Sequence, residues 1–132
     1  MKKNRVILAT IAACLAATGA GVAKTAAERA QEKLSQYEKT GDSVSCVMLR
    51  SIRDTDILDD YTMLIQASGD MYLNELSGRC SGLAREGRYV HRSTGARMCK
   101  GDIIQVIDSF GTMRGSCSLG DFEKLMEIPD SE

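Results

Sequence analysis

The hydrophobic pattern divides the chain into an apolar amino terminus, a short amphipathic segment and a series of short apolar runs. Residues 6–17 are almost continuously apolar, whereas apolar residues between 27 and 37 recur every three or four positions. From Val44 onward, the runs are short, rich in β-forming residues and separated by glycine, serine and aspartate. These patterns are typical of an export signal, a helix and a set of strands, in that order.

The amphipathic segment begins with a helix-start signal. Thr25-Ala26-Ala27-Glu28 fits a capping box, in which the Thr side chain and the Glu side chain each bond a backbone N–H. The helix is predicted to run to about Lys39 and to stop at Gly41, which tolerates a left-handed backbone. Its narrow apolar stripe predicts light packing or a spacer. Residues 24–41 are therefore assigned to an N-terminal helix or spacer.

The remaining pattern predicts a mainly β domain over residues 44–128. The expected strands lie at 45–49, 61–66, 71–76, 88–91, 103–107 and 114–118, with a turn over 67–70. Residues near Phe122 are expected to close the domain as a turn of helix or strand. The predicted fold class is a small antiparallel barrel or twisted sheet of five or six short strands after the helix. A polar tail occupies residues 129–132.

The amino terminus predicts export. A basic start, with Lys2, Lys3 and Arg5, precedes the apolar run, as in a secretory signal peptide. The small residues before Lys24 favour cleavage after Ala23, which makes 1–23 the signal and the product periplasmic or part of the cell envelope. An alternative is the lipobox-like Ile11-Ala12-Ala13-Cys14, with Cys14 lipidated and the product an outer-membrane lipoprotein.

Composition limits the classes of partner. Removing residues 1–23 leaves 109 residues, which suits one domain, with fourteen Lys or Arg against eighteen Asp or Glu. The net charge of −4 and the absence of a basic run argue against a nucleic-acid partner. The chain has no Trp, four Tyr and two Phe, so the core is expected to consist mainly of Ile, Leu, Val and Met.

The cysteine count predicts two disulfides. Cys46, Cys80, Cys99 and Cys117 form an even set in a chain with an export signal. Their wide, irregular spacing does not match a zinc site. Four cysteines allow three pairings, which the sequence alone does not separate. The short segment between Cys80 and Cys99 favours that pair, with Cys46–Cys117 as the remainder.

Several short motifs carry a resemblance to a bacterial family. The motifs include Tyr72-Leu73-Asn74-Glu75-Leu76 and the cysteine contexts C-x-G-L at Cys80, C-x-G-D at Cys99 and C-x-L-G at Cys117. Over residues 46–125 the chain resembles small secreted or lipoprotein-like proteins known only as a domain of unknown function. The resemblance implies an exported, disulfide-bearing domain and carries over no catalytic residue.

Candidate chemistry is sparse. His91 is the only histidine, and no nucleophile, metalloprotease or P-loop motif is present, so no catalytic, cofactor-binding or metal-binding residue is assigned. Asp54, Asp56, Asp59 and Asp60 form an acidic cluster that lacks the glycine and closing Glu of an EF-hand loop. The cluster favours a solvated turn, and a calcium-binding module through residues 54–60 is a further alternative.

A positively charged segment supplies the candidate ligand-facing residues. Glu86 is the only acid within residues 79–100. The candidates for contact with an anionic ligand or an envelope protein are Arg79, Arg88, His91, Arg92 and Arg97. The alternative is that these cations balance the acidic 54–60 loop or face solvent.

The absence of a catalytic set favours a non-enzymatic binding or structural domain in the periplasm or envelope. It is expected to present residues 79–100 and 108–116 to a partner. A small envelope enzyme or an enzyme inhibitor is the alternative. The enzyme would need a cleft that joins His91 to a carboxylate or hydroxyl, and the inhibitor a rigid protruding loop braced by a disulfide.

Overall fold

In a computed structural model that describes residues 21–129, the chain is mainly β and its sheets are antiparallel. The predicted signal peptide, apart from residues 21–23, and Cys14 lie outside the described residues, as do the last three residues of the predicted tail. The helices are α1 (Ala26–Leu34) and α2 (Leu83–Glu86), with a 3-10 turn at Leu49–Ser51. The strands are β1 (Tyr37–Val44), β2 (Cys46–Met48), β3 (Ile52–Ile57), β4 (Thr62–Ala67), β5 (Asp70–Glu75), β6 (Tyr89–Arg92), β7 (Arg97–Cys99), β8 (Ile103–Ile107), β9 (Met113–Ser118) and β10 (Phe122–Glu127).

The main layer is a five-stranded sheet with the order β1-β10-β5-β4-β3. Its central strands are apolar on both faces because both faces are covered. Met63 and Ile65 of β4 face one core cluster, while Leu64 between them faces the other. Successive side chains of a strand point to opposite faces, so this near-continuous apolar run fits a strand covered on both sides.

The β4–β5 hairpin confirms the predicted turn over residues 67–70. Ala67 pairs with Asp70, which leaves a two-residue loop of Ser68 and Gly69. Both loop residues have positive φ, 54° and 80°. Such a loop matches the right-handed twist of the paired strands, and Gly69 adopts its conformation without a Cβ penalty.

Helix α1 packs on one face of the five-stranded sheet. The capping box is present, with the Glu28 amide donating to Thr25 Oγ1 at 3.2 Å. Ala30 is buried in a cluster with Leu64 and Leu73, so the helix is part of the domain. The predicted end of the helix near Lys39 is wrong: it ends at Leu34, and the chain then pairs with β10 as β1. That pairing supplies partners for backbone groups that a longer helix would have bonded internally.

The second layer covers the opposite face of the main sheet. It contains a three-stranded sheet with the order β6-β8-β9, the pair β2-β7 and the short helix α2. Ile104 and Val106 of β8 point inward beside Leu83 of α2 and Phe122 of β10. The antiparallel β class is confirmed, but the described chain forms three sheets and no closed barrel. The described residues contain ten strands rather than five or six, because the sequence pattern does not predict β1, β3, β7 and β10 as separate strands.

Two disulfides link the elements of the second layer. Cys46 bonds Cys99, and Cys80 bonds Cys117, so the use of all four cysteines in disulfides is confirmed. The favoured pairing, Cys80 with Cys99, is wrong. Strand register determines the disulfide pairing, because the β2–β7 pairing places Cys46 directly opposite Cys99. Disulfides of this kind are typical of an oxidising compartment.

Candidate functional site

The turn between β8 and β9 presents an aromatic side chain to solvent. Of the two phenylalanines, Phe122 is fully buried, whereas Phe110 at the tip of the turn is 92% exposed. Exposing a large apolar side chain to this extent forgoes the stabilisation that burial would supply. Phe110 therefore has no packing role in the described structure and is the first candidate for contact with another molecule.

Asp108 holds this turn in one shape. Its Oδ1 accepts the amides of Phe110 and Thr112, each at 2.9 Å, and its Oδ2 accepts Nη2 of Arg114 at 2.7 Å. The turn also has a backbone bond from the Gly111 amide to the Asp108 carbonyl, and Gly111 has a φ of 80°. A side chain that bonds its own following backbone amides stabilises a turn locally. Phe110 is thus presented by a structured loop.

The hydrogen bonds of the turn favour the ionised form of Asp108. The amide of Thr112, then that of Phe110 and the guanidinium of Arg114, hold the pKa of Asp108 below its usual value, although burial of the carboxyl opposes the shift. Hydrogen bonds to the charged form favour it. The turn therefore keeps its charged centre over the whole neutral range.

The three-stranded sheet has an exposed side, which we call the outer face. It contains Val90, Arg92, Ile103, Gln105 and Met113, while the alternate residues point into the core. Val90 is 43% exposed, Ile103 50% and Met113 56%. Arg92 Nε donates to Gln105 Oε1 across the strands at 2.6 Å. The outer face is thus partly apolar, and no layer covers it in the described structure.

Charge is divided unequally between the two parts of the domain. Residues 79–118, which form α2 and β6–β9, carry seven Lys or Arg and three Asp or Glu, a net +4. The other described residues carry seven Lys or Arg and thirteen Asp or Glu, a net −6. Asp108 and Glu86 are each paired with an arginine, and Asp102 accepts a backbone amide. The outer face therefore belongs to a cationic part of an otherwise acidic protein.

The predicted ligand-facing residues do not form one cluster. Arg92 lies on the outer face, and Arg88 lies beside the end of β8, where its carbonyl accepts the Ile107 amide. Arg97 lies on β7, in a different sheet. Arg79 bonds Asp60 at 3.2 Å, as the alternative of balanced charges predicts. The order of strands separates residues that are close in sequence.

His91 lies on the inner side of β6 and bonds Asp102. Its Nε2 is 2.8 Å from Oδ2 of Asp102, and only 10% of its side chain is exposed. Asp102 Oδ2 also accepts the Cys99 amide, and this amide and His91 hold the pKa of Asp102 below its usual value. The pair borders an open depression of about 700 Å³ that also includes Ser93 and Thr94.

This pair meets the geometric requirement for an enzyme, since it joins His91 to a carboxylate beside a depression. A nucleophilic mechanism needs a hydroxyl or thiol within hydrogen-bond reach of the histidine. Among the hydrogen bonds of residues 21–129, His91 contacts Asp102 and no hydroxyl or thiol. The geometry instead ties β6 to the turn between β7 and β8.

The acidic cluster is distributed over a strand and a turn. Asp54 and Asp56 lie on β3 and accept hydrogen bonds from Lys33 Nζ of α1 at 3.1 and 2.8 Å. The bond that Lys33 donates to Asp56 is the main cause of its raised pKa. Asp60 accepts the amide of Ala84, which is the largest cause of its lowered pKa. Within the described range, no three His, Cys, Asp or Glu side chains are arranged to hold a metal ion.

The motif residues behind the family resemblance have structural roles. The buried Asn74 side chain donates to the Gly120 carbonyl and accepts the Gly120 amide, both at 2.9 Å. Gly101, with a φ of 86°, forms the turn that precedes Asp102. These contacts give Asn74, Gly101 and Gly120 structural roles in this fold.

Comparison with known proteins assigns neither a family nor a function, since no family model, curated protein or solved structure matches this chain. The family resemblance therefore stays a prediction. Within residues 21–129, the helices are too short to cross a membrane.

Phe110 is the residue that sequence reasoning missed. The sequence predicts that residues 108–116 face a partner, but its pattern does not single out Phe110. The available signal was an aromatic residue inside Asp108-Ser109-Phe110-Gly111, where turn residues surround it and the alternation of the flanking strands no longer assigns it to the core.

Proposed function

We propose that this protein is an exported, non-enzymatic binding domain of the periplasm or cell envelope. Its binding site consists of the Phe110 turn and the adjoining outer face. The observation that carries the proposal is the 92% exposure of Phe110 on a turn held by Asp108. Rigid presentation lowers the entropy lost when a partner binds, and aromatic side chains are frequent anchors of interfaces.

Export is supported by two independent features. The amino terminus has the charge and hydropathy pattern of a signal peptide, and the described domain contains two disulfides. We expect the intact mass of protein from an envelope fraction to correspond to a chain that begins at Lys24. We also expect four alkyl groups to be added only after reduction. A lipid-modified chain that begins at Cys14 would instead assign the protein to an outer-membrane lipoprotein.

The binding site is tested in the cell with a photo-crosslinking amino acid. We expect a crosslinker at position 110 to give a discrete adduct under irradiation. The matched control is position 126, because Met126 is exposed but lies on the five-stranded sheet, away from the outer face. Equal adduct yields at the two positions would contradict a binding role for the turn.

An enzyme inhibitor is the second candidate, because the Phe110 turn protrudes and the strand that follows it is fixed by the Cys80–Cys117 disulfide. The test is inhibition of chymotrypsin, which accepts an aromatic residue in its specificity pocket. We expect stoichiometric inhibition that Phe110→Ala abolishes if this candidate holds. Unchanged protease activity, or rapid cleavage after Phe110, would remove it.

The calcium-binding module receives no support from the geometry, because Asp54, Asp56 and Asp60 already bond Lys33, Arg79 or a backbone amide. A thermal unfolding midpoint that does not respond to calcium or to a chelator would remove this alternative.

A further inference from the structure

The turn between β8 and β9 forms an exposed, convex tip of the second layer. Every residue from Ser109 to Arg114 is exposed, so Phe110 projects from a convex turn, and the apolar side chains of the outer face lie along the strands rather than around it. Met113, 56% exposed, is the nearest exposed large apolar residue along the chain. A protein partner usually surrounds an anchor residue with close contacts that exclude water, which requires a broad complementary patch. A lipid bilayer is fluid and closes around an inserted side chain, so it requires no such patch.

The charge at this end of the sheet is positive, and its acids are paired with arginines. Arg88 is exposed and lies beside the end of β8. Glu86 and Asp108, the only acids of segments 79–92 and 103–118, are bonded to Arg85 and Arg114. A tip with a projecting aromatic residue and uncompensated positive charge matches the boundary between acyl chains and anionic headgroups, where both features are favourable.

We propose that the protein docks on an anionic lipid bilayer, with Phe110 inserted below the headgroups and Arg88 at the level of the phosphates. This inference rests on the proposed function, since it names the partner of the same binding site. The cationic part of the domain then faces the membrane, and the acidic part, with α1 and the five-stranded sheet, faces away from it. This orientation follows from the opposite net charges. Arg79 and Lys100 bond Asp60 and Asp121 of the acidic part. Without these two pairs, residues 79–118 carry five Lys or Arg and three Asp or Glu, a net +2, and the other described residues carry seven and eleven, a net −4.

The composition of the chain makes insertion directly observable. Because the protein has no tryptophan, Phe110→Trp places a single indole at the tip. We expect the emission of this variant to shift to shorter wavelength when vesicles of phosphatidylcholine and phosphatidylglycerol in equal parts are added. Vesicles of phosphatidylcholine alone should give a much smaller shift. Met126→Trp, on the five-stranded sheet, is the matched control and should not shift with either vesicle.

Partitioning of the disulfide-bonded protein onto sedimented vesicles measures how much each residue contributes to membrane binding. Phe110→Ser is expected to lower the partition coefficient on the anionic vesicles about tenfold, because it removes the inserted apolar surface. Arg88→Ser is expected to lower it about fivefold, and added salt should weaken binding of the unmodified protein. Met126→Ser should leave it unchanged. Phe110 and Arg88 are exposed, so circular dichroism should show that both variants keep the fold.

Three results would overturn the inference. These are no partitioning on anionic vesicles, equal partitioning on both vesicle types, and unchanged partitioning of Phe110→Ser. The crosslinker at position 110 separates this failure from failure of the proposed function. A lipid adduct supports both proposals. An adduct with protein alone overturns the lipid assignment and leaves the binding site in place, whereas yields no higher than at position 126 overturn both.

Discussion

Asn74 is a fully buried amide in an otherwise apolar core. It lies on β5 between Met63 and Phe122 of the neighbouring strands, and its side chain is 0% exposed. The NH2 group of the Asn74 side chain donates to the Gly120 carbonyl, and its oxygen accepts the Gly120 amide. The contact joins the centre of the five-stranded sheet to the segment that connects β9 to β10. We predict that Asn74→Ala strongly destabilises the protein.

The magnitude follows from the groups left without partners. Asn74→Ala removes two hydrogen bonds and leaves the N–H and the C=O of Gly120 unpaired. Each orphaned group costs about 1–3 kcal/mol. Because Gly120 is only partly buried, water can replace part of this bonding, and we expect a total loss of about 2–4 kcal/mol. That loss is a large fraction of the roughly 5–15 kcal/mol by which small domains are stable.

Urea unfolding monitored by circular dichroism measures this difference. We expect a lower midpoint with an unchanged slope, which indicates a loss of stability rather than a change in the denatured state. Ser116→Ala, at an exposed position on β9, should leave the midpoint nearly unchanged. The decisive variant is Asn74→Leu, which fills the apolar site but makes no hydrogen bond. If this variant were as stable as the unmodified protein, the hydrogen bonds to Gly120 would not be the reason for the buried amide.

Three further predictions concern other contacts that stabilise the fold. Gly120→Ala should lower the thermal midpoint, because its new Cβ would overlap the Glu75 carbonyl oxygen and such overpacking costs about 1–3 kcal/mol. Gly95→Ala, which meets open space, is the matched control, and equal midpoints for the two variants would contradict the steric argument. Replacing Cys80 and Cys117 together with Ala should cost about 2–5 kcal/mol in urea unfolding, and an unchanged midpoint would mean that packing alone holds β9 in place. The folded state lowers the pKa of Asp108, so its contribution is complete above the unfolded value of about 3.9 and is lost as pH falls through the lower folded value. Asp108→Asn should therefore be less stable at neutral pH and lose less stability on acidification, and parallel pH curves for the two proteins would contradict this.

Local patterns determined several elements correctly. The capping box at Thr25 and the hairpin around Ser68 and Gly69 depend on side chains and backbone angles within a few residues. The strand 103–107 and its return over 114–118 also agree with the structure, because apolar and β-forming residues are concentrated there. Interactions over such short distances leave a direct signal in the sequence.

Elements that depend on distant partners were assigned less well. Residues 37–39 continue a helical pattern, yet they form β1 because β10 offers a free edge to pair with. Asp54 and Asp56 have the composition of a solvated turn, yet they lie on β3 because β4 pairs with that segment and Lys33 balances their charge. In both cases tertiary pairing outweighs local propensity.

The sequence by itself determined the class of fold, the disulfide state of the cysteines and the cationic character of residues 79–118, because these depend on composition and short-range pattern. Only the tertiary structure decided that Cys46 lies opposite Cys99, that His91 is held by Asp102 and that Phe110 stands at the tip of a structured turn. These features depend on the register of strands that are far apart in the chain. Register is set by how the apolar faces of the two layers pack together, so it can be read from the folded structure and not from a single sequence.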